Sequence, residues 1–243
     1  MKNFIVVAIA LLTVTTVVGC GGGGGSDNPS PSPSSSAVYP LTARLRTAQS
    51  GDTATYTGSG TFSEVGSSGS VPLTASVIDT YTATTFRGAP SLLSTTSITF
   101  RVEGSDIVEN LSSINRQDGA TGDLFVVSTD ASDAALTTPV IFLPGTFRNG
   151  YSHSADYVYE DGSPSSRRTF TVVGTEIVST PIGRFETWKA VATETEGDTS
   201  SQSTQWFAPQ LGTFVKADVI QSLDGGRQTI RFSLALSSVS YPF

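Results

Sequence analysis

Along most of this chain, apolar and polar residues alternate in short bursts, and clusters of Gly, Asp, Ser and Pro separate the bursts. A period of two puts successive side chains on opposite faces of a strand. The pattern predicts strands at Ala54–Val65, Val71–Phe86, Ser94–Val102, Ile107–Asn115, Leu124–Thr129, Tyr151–Tyr159, Arg168–Val178, Phe185–Glu194, Ser203–Phe207, Thr213–Gln221 and Gln228–Ser237. Asp118-Gly119, Asp161-Gly162 and Asp224-Gly225 stand between these runs, where a turn calls for positive φ and glycine adopts it at little cost. No window holds a 3.6-residue apolar period, and Thr, Val, Ser, Phe and Tyr suit a pleated, half-buried surface. The expected fold is all-β: an antiparallel meander that closes into a barrel or a strongly curved or double sheet, because a flat sheet of this many strands leaves exposed edges. Two stretches interrupt the rhythm. ASDAALTTPVIFLPGTFRNG, with Pro139 and Pro144, suggests a loop or short buried crossover, and STPIGRFETWKA makes a tight turn at Pro181 and Gly183 before Phe185 and Trp188.

The N-terminus follows a different pattern. Lys2 precedes an unbroken apolar run from Phe4 to Val18, too short to span a bilayer comfortably and suited to a removable signal. It ends on Val17-Val18-Gly19-Cys20, which resembles the lipobox of bacterial lipoproteins. The resemblance implies that Cys20 carries a diacylglyceryl group and becomes an acylated N-terminus, with two or more chains making release from the bilayer slow. The alternatives for Cys20 are a free thiol or an intermolecular disulfide. No neighbouring base or charge would activate the thiol, and the single histidine is His153. Beyond Cys20 come Gly21–Gly25 and SDNPSPSPSSS, too poor in apolar groups to fold, a tether spanning roughly 20 to 24 Å. The organisation is therefore a signal peptide over 1–19, the lipidated cysteine and tether over 20–37, and a single all-β domain over 38–243. By the same lipoprotein resemblance, Gly21 permits the outer membrane, where an aspartate would retain the protein at the inner one.

The net charge of −7, without any basic run, makes a poor partner for phosphate backbones, and no nucleic acid is expected. With one histidine and a mature domain free of cysteine, neither a transition-metal site, a disulfide framework nor a cofactor motif is expected. GYSHSADYVYE offers Ser, His and Asp together. In a strand, however, His153 shares a face with Tyr151, Tyr157 and Tyr159, while Ser152, Ser154 and Asp156 share the other, so they cannot act as nucleophile and base. Asp130 with Asp133, and Glu160 with Asp161, read as solvated turn carboxylates, not as a calcium loop. A hydrolase built on distant carboxylates is the one enzymatic possibility the residues leave.

Three stretches, GDTATYTGSGT, VVGTEIVSTPIGRFETWKAV and QWFAPQLGTFVKADV, resemble in that order bacterial envelope proteins and lipoproteins that carry a domain of unknown function. The last has the pattern Trp-aromatic-x-Pro-x-Leu-Gly-x-aromatic-Val-Lys; in the first, Ala54 stands where such proteins often carry Trp. The resemblance implies a curved antiparallel sheet or barrel in the envelope and brings no activity with it. Pro209 and Gly212 would shape a turn, with Trp206 and Phe214 packed from its flanks and Lys216 at the rim. Alternatively Trp188, Trp206 and Phe207 line a mouth that grips an apolar ligand or partner chain. Two functions follow: a membrane-anchored, non-enzymatic carrier for an apolar or envelope-derived ligand, or an envelope assembly protein whose barrel is filled by its own side chains. The oligomeric state is left open by the sequence.

Overall fold

Inward apolar residues at every second position, joined by short turns, produce a long antiparallel meander. The computed structural model describes residues 38–67, 69–129, 135–162 and 166–242. The strands are β1 (Val38–Tyr39), β2 (Thr53–Glu64), β3 (Ser70–Phe86), β4 (Ala89–Val102), β5 (Ser105–Gln117), β6 (Leu124–Ser128), β7 (Val140–Leu143), β8 (Ser152–Tyr157), β9 (Ser166–Thr180), β10 (Gly183–Glu196), β11 (Thr199–Ala208), β12 (Thr213–Leu223) and β13 (Gln228–Val239). They form one sheet in the order β7-β6-β5-β4-β3-β2-β13-β12-β11-β10-β9-β8, antiparallel throughout and nearly closed as a barrel; β1 adds in parallel to β10. From β2 to β7 and from β8 to β13 sequence neighbours are sheet neighbours; β13 returns to β2 to join the two runs, which leaves β7 and β8 as the two ends of the path.

Two features bend the sheet enough to close it. At the β2–β13 pair, a Cβ added to Gly58 would lie 1.8 Å from the Ser233 carbonyl oxygen, and one added to Gly60 would lie 1.9 Å from that of Arg231. The backbones are thus in near contact where only glycine fits, making a tight corner. The β10–β9, β11–β12 and β13–β2 pairs shift register at Lys189/Ala190, Trp206/Phe207 and Leu236/Ser238, at the same end of the barrel, and such bulges add twist. Ala190, Ala192 and Ala217 are fully buried on the inside, and β9 comes within 8 Å of β12 and β13 across the interior.

The closing seam lies between β7 and β8. Leu136 bridges Tyr159, with Thr137 N–H donating to the Val158 carbonyl (2.8 Å) and Glu160 N–H to that of Ala135 (3.0 Å). Pro139 follows with no N–H to donate, and the pairing stops. The stretch expected as a loop or crossover is therefore partly a strand: Val140–Leu143 pairs with β6, at the end of the strand path where only one side needs a ladder.

The hairpins also differ in detail from the expected turns. The β3–β4 and β4–β5 turns are two residues each, Arg87-Gly88 (φ 50° and 76°) and Glu103-Gly104 (φ 51° and 80°), so the strands run on through positions expected to be loop. At Asp118 the aspartate side chain accepts from the Ala120 and Thr121 amides (2.9 and 2.7 Å), and Gly122 takes the positive φ.

Candidate functional site

The interior has two parts. At the end where β2 begins and β11 meets β12, it is filled with rings: Phe207 lies 5.4 Å from Phe147, 5.8 Å from Phe170 and 6.5 Å from Phe214, and Phe214 stacks on Tyr56 at 4.4 Å. Residues 40–52 cross this end as a strap. Arg46 N–H donates to the Pro209 carbonyl (2.7 Å), and the Arg46 guanidinium lies 3.9 Å above the Tyr241 ring and 2.7 Å from Asp52. Trp188, half-buried, donates its indole N–H to the Thr42 carbonyl (2.9 Å) and fixes the strap to β10. Besides Asp52, a second carboxylate sits in this half: Asp79 is fully buried, accepts from Thr96 Oγ1 (2.6 Å), and is pushed up to about 7 by burial.

Nearer the other end the wall changes character. Pairing register places Ala155, Arg168, Glu194, Ser201, Gln221, Ile230, Phe62 and Val71 directly opposite one another from β8 round to β3, one inward-facing row across the wall. Directly opposed side chains have Cβ atoms about 4.5–5.5 Å apart. The middle of the row is polar, with Arg168, Ser201 and Gln221 buried and Glu194 half-buried, while its far shoulder is apolar and only half-buried at Phe62 and Val71. Ile107, Leu111 and Val102 likewise pack on the core while half-exposed, and a cavity of about 330 Å³ lies at the β2–β3 hairpin, bounded by Phe62, Glu64, Ser67 and Val71.

Along and beside this row, buried polar atoms lack partners among the described residues: Nε and Nη2 of Arg168, both amide atoms of Gln221, Oγ of Ser203, Oε1 of Gln228 and Nε2 of His153. Groups of this kind are costly to bury bare. Arg168 is 3% exposed. Its Nη1 donates to the Phe142 carbonyl across the seam (2.8 Å), and its guanidinium lies 4.1 Å from the Phe142 ring centre and 5.3 Å from that of Phe170. Burial pushes the Glu194 carboxyl up, with Arg168 pulling it back, and Ser166 Oγ donates to it at 3.3 Å. Burial lowers His153, and Arg168 adds to this. Burial also lifts the Tyr157 hydroxyl to about 12 despite the adjacent Arg168.

The three aromatic residues expected at a mouth occupy different places. Phe207 is at the centre of the ring cluster, and Trp188 is under the strap. Trp206, 4% exposed, stands opposite Lys189 and Lys216 on the outer face, with the Lys216 ammonium 4.3 Å above its ring and that of Lys189 at 5.2 Å. The bulge between Trp206 and Phe207 sits where the two neighbours part. His153 is inward and half-buried, whereas Ser152, Ser154 and Asp156 are exposed, and Ser152 Oγ bonds to Thr171 Oγ1 (2.9 Å). Glu160 pairs with Arg87 at the surface. Among the described residues no group of three His, Cys, Asp or Glu is placed to hold a metal ion. Cys20, Asp130 and Asp133 lie outside the described residues.

Outward positions of β2, β3 and β4 carry Thr57, Ser59, Thr74, Thr80, Thr95 and Thr99, with Ile78 and Leu93 as apolar exceptions, while most of the apolar residues face in. That is the reverse of a membrane-spanning barrel, whose lipid-facing band is apolar. The described residues hold no helix long and apolar enough to cross a membrane.

No protein-family model matches the sequence, and no curated protein matches it. Among solved structures the chain is similar to a presumed lipoprotein from Parabacteroides distasonis ATCC 8503, at 12% identity over 83% of this chain and 97% of that one, with a TM-score of 0.40, too loose a likeness to carry a functional argument.

Proposed function

We infer that the chain is a lipid-anchored protein of the bacterial envelope whose barrel binds an apolar or amphipathic, envelope-derived molecule without transforming it. The observation that carries this reading is the inward row from Arg168 to Val71. Its polar atoms lack partners in the middle, and its apolar shoulder is half-open to solvent. A barrel built only for stability would fill that row with apolar side chains, as the strap half does with rings. The Val17-Val18-Gly19-Cys20 sequence supports acylation at Cys20, and the Gly, Ser and Pro stretch after it supports a domain held off the bilayer, with the outer membrane favoured by Gly21. The polar outer wall suits a barrel standing in water.

The test is native mass spectrometry of the full chain released from envelopes in mild detergent. A bound lipid or acyl species beyond the anchor, displaced by an apolar dye, is the expected result. A chain that emerges empty and takes up no dye supports the other reading, an assembly protein with a self-filled barrel. In parallel, Cys20→Ser leaves an unprocessed precursor if Cys20 is the anchor; membrane fractionation unchanged by that substitution sinks the lipoprotein assignment.

A further inference from the structure

We propose that Arg168 is the receptor for an oxyanion, the carboxylate or phosphate head of an amphipathic ligand, bound inside the barrel beneath the β7–β8 seam. This deepens the binding reading above and rests on it.

The guanidinium is a permanent cation with five N–H donors in a planar fork. One nitrogen is used, at the Phe142 carbonyl (2.8 Å); Nε and Nη2 make no well-formed hydrogen bond among the described residues, and the acceptor that the guanidinium approaches besides is the neutral Tyr157 hydroxyl. Glu194, directly opposite in register, is the nearest carboxylate by strand pairing, and it takes a hydrogen bond from Ser166. A buried cation lacking a contacting counter-ion is a costly arrangement that an incoming anion would relieve.

The surroundings suit an anion with an apolar body. Phe142 and Phe170 hold the guanidinium between their rings, which fixes the orientation of the fork. His153 flanks Arg168 from β8, its inner nitrogen Nε2 buried without a partner among the described residues, and the Tyr157 hydroxyl lies beside it. Val140, Leu136 and Phe147 are buried in the same apolar cluster as Phe142, Tyr157 and Phe170, with Phe147 edge-on to Phe170 at 6.5 Å. Pro139 ends the β7–β8 ladder beside this cluster, so the wall here is closed by a side chain instead of by backbone hydrogen bonds. A bidentate carboxylate or phosphate would take up Nε and Nη2 together, the geometry in which arginine forks bind best.

The test is calorimetric titration of the full lipidated chain in phosphatidylcholine nanodiscs, with empty discs as the blank. The probes are hexanoate, hexyl phosphate and hexanol, which share a chain length and differ in the head. The expected result is that at least one of the two anions binds about tenfold or more tightly than hexanol. Preference for hexanoate over hexyl phosphate, or the reverse, tells a fatty-acid-like source from a phospholipid-like one. Arg168→Gln, which keeps a donor for the Phe142 carbonyl, should abolish the preference while leaving hexanol binding in place. Glu194→Gln should tighten the anions, because it removes the carboxylate that competes for the same cation. Should Arg168→Gln fail to fold, Glu194→Gln decides alone: tighter anion binding supports the site, and unchanged or weaker binding overturns it. If the wild-type chain binds all three probes equally, the Arg168 site falls and the carrier reading stands. If it binds none, both fall.

Discussion

The two halves of the barrel interior solve the same problem in opposite ways. The strap half is packed with rings around Phe207 and sealed by the segment that carries Arg46 and Leu45; the seam half sets Arg168, Glu194, Ser201 and Gln221 in an inward row and leaves several of their atoms bare. The first arrangement stabilises in proportion to the apolar area removed from water; the second costs desolvation and returns little stability by itself. A chain that can build the first and yet keeps the second retains its polar row for a purpose other than folding. The contrast teaches that the ring cluster makes the fold, and the row is the feature on which the binding proposal rests.

The largest effect should come from breaking the filled half. Phe207 contacts Phe147, Phe170 and Phe214, and is 1% exposed. Phe207→Ala should lower the unfolding free energy by about 3 to 5 kcal/mol, measured in urea. A loss below about 1 kcal/mol would mean that the cluster is not what holds the barrel, and the contrast between the halves would collapse.

Next comes Asp79, the fully buried acid of the filled half, which unlike Asp52 has no ion pair among the described residues. The Asp79 carboxyl titrates at about 7 in the folded chain against an ordinary 3.8, so the folded state holds its proton more tightly than the unfolded one. Stability from this group is therefore intact below about pH 4 and falls as pH rises towards 7, with a total cost on the order of 4 kcal/mol above that. Asp79→Asn keeps an oxygen for the Thr96 hydroxyl and removes the ionisation. The variant should match the wild type near pH 4 and exceed it in stability by a growing margin up to about pH 8, followed by urea unfolding at each pH. Burial shifts Glu194 in the same direction, so the wild-type curve holds both contributions, and its difference from the Asp79→Asn curve isolates one. Parallel curves for the two proteins would show that Asp79 does not titrate in this range.

Much of the architecture is legible in the sequence. Alternation locates the strand cores, and the turn residues give an antiparallel meander, which is what the sheet order shows. The hairpins at Arg87-Gly88 and Glu103-Gly104 are harder to see because their first residue is neither Asn nor Asp, the usual companions of Gly in such turns. The strap is hidden for another reason. Residues 40–52 hold no alternating run, and their burial comes from tertiary contacts such as Trp188 to Thr42. Of the candidate site, the aromatic residues are visible but their faces are not, because the bulge between Trp206 and Phe207 breaks the period. The buried charges do leave a signal. Arg167 and Arg168 are adjacent in one strand, so one of the two has to face inward. Val77, Asp79 and Tyr81 share a face by the same rule, which places an acid among core residues.

The smallest effect, and the one with the opposite sign, sharpens the comparison most. Ser203 is 1% exposed, stands one inward position from Ser201 on β11, and its hydroxyl finds no partner among the described residues. In the ring half, removing atoms leaves a cavity; here Ser203→Ala removes a polar atom that nothing described satisfies and keeps the backbone as it is. A bare buried hydroxyl costs about 1 to 3 kcal/mol, of which an ordered water would recover most. The substitution should therefore leave the empty protein unchanged or up to about 1 kcal/mol more stable, read from urea midpoints at constant slope. The same substitution should weaken ligand retention if the row is a binding surface, so stability and binding move apart. In the filled half they move together, since Phe207→Ala can impair binding only by loosening the fold. A Ser203→Ala protein that loses stability in proportion to its binding would place the hydroxyl in a structural network, and the seam half would then be a second core instead of a site.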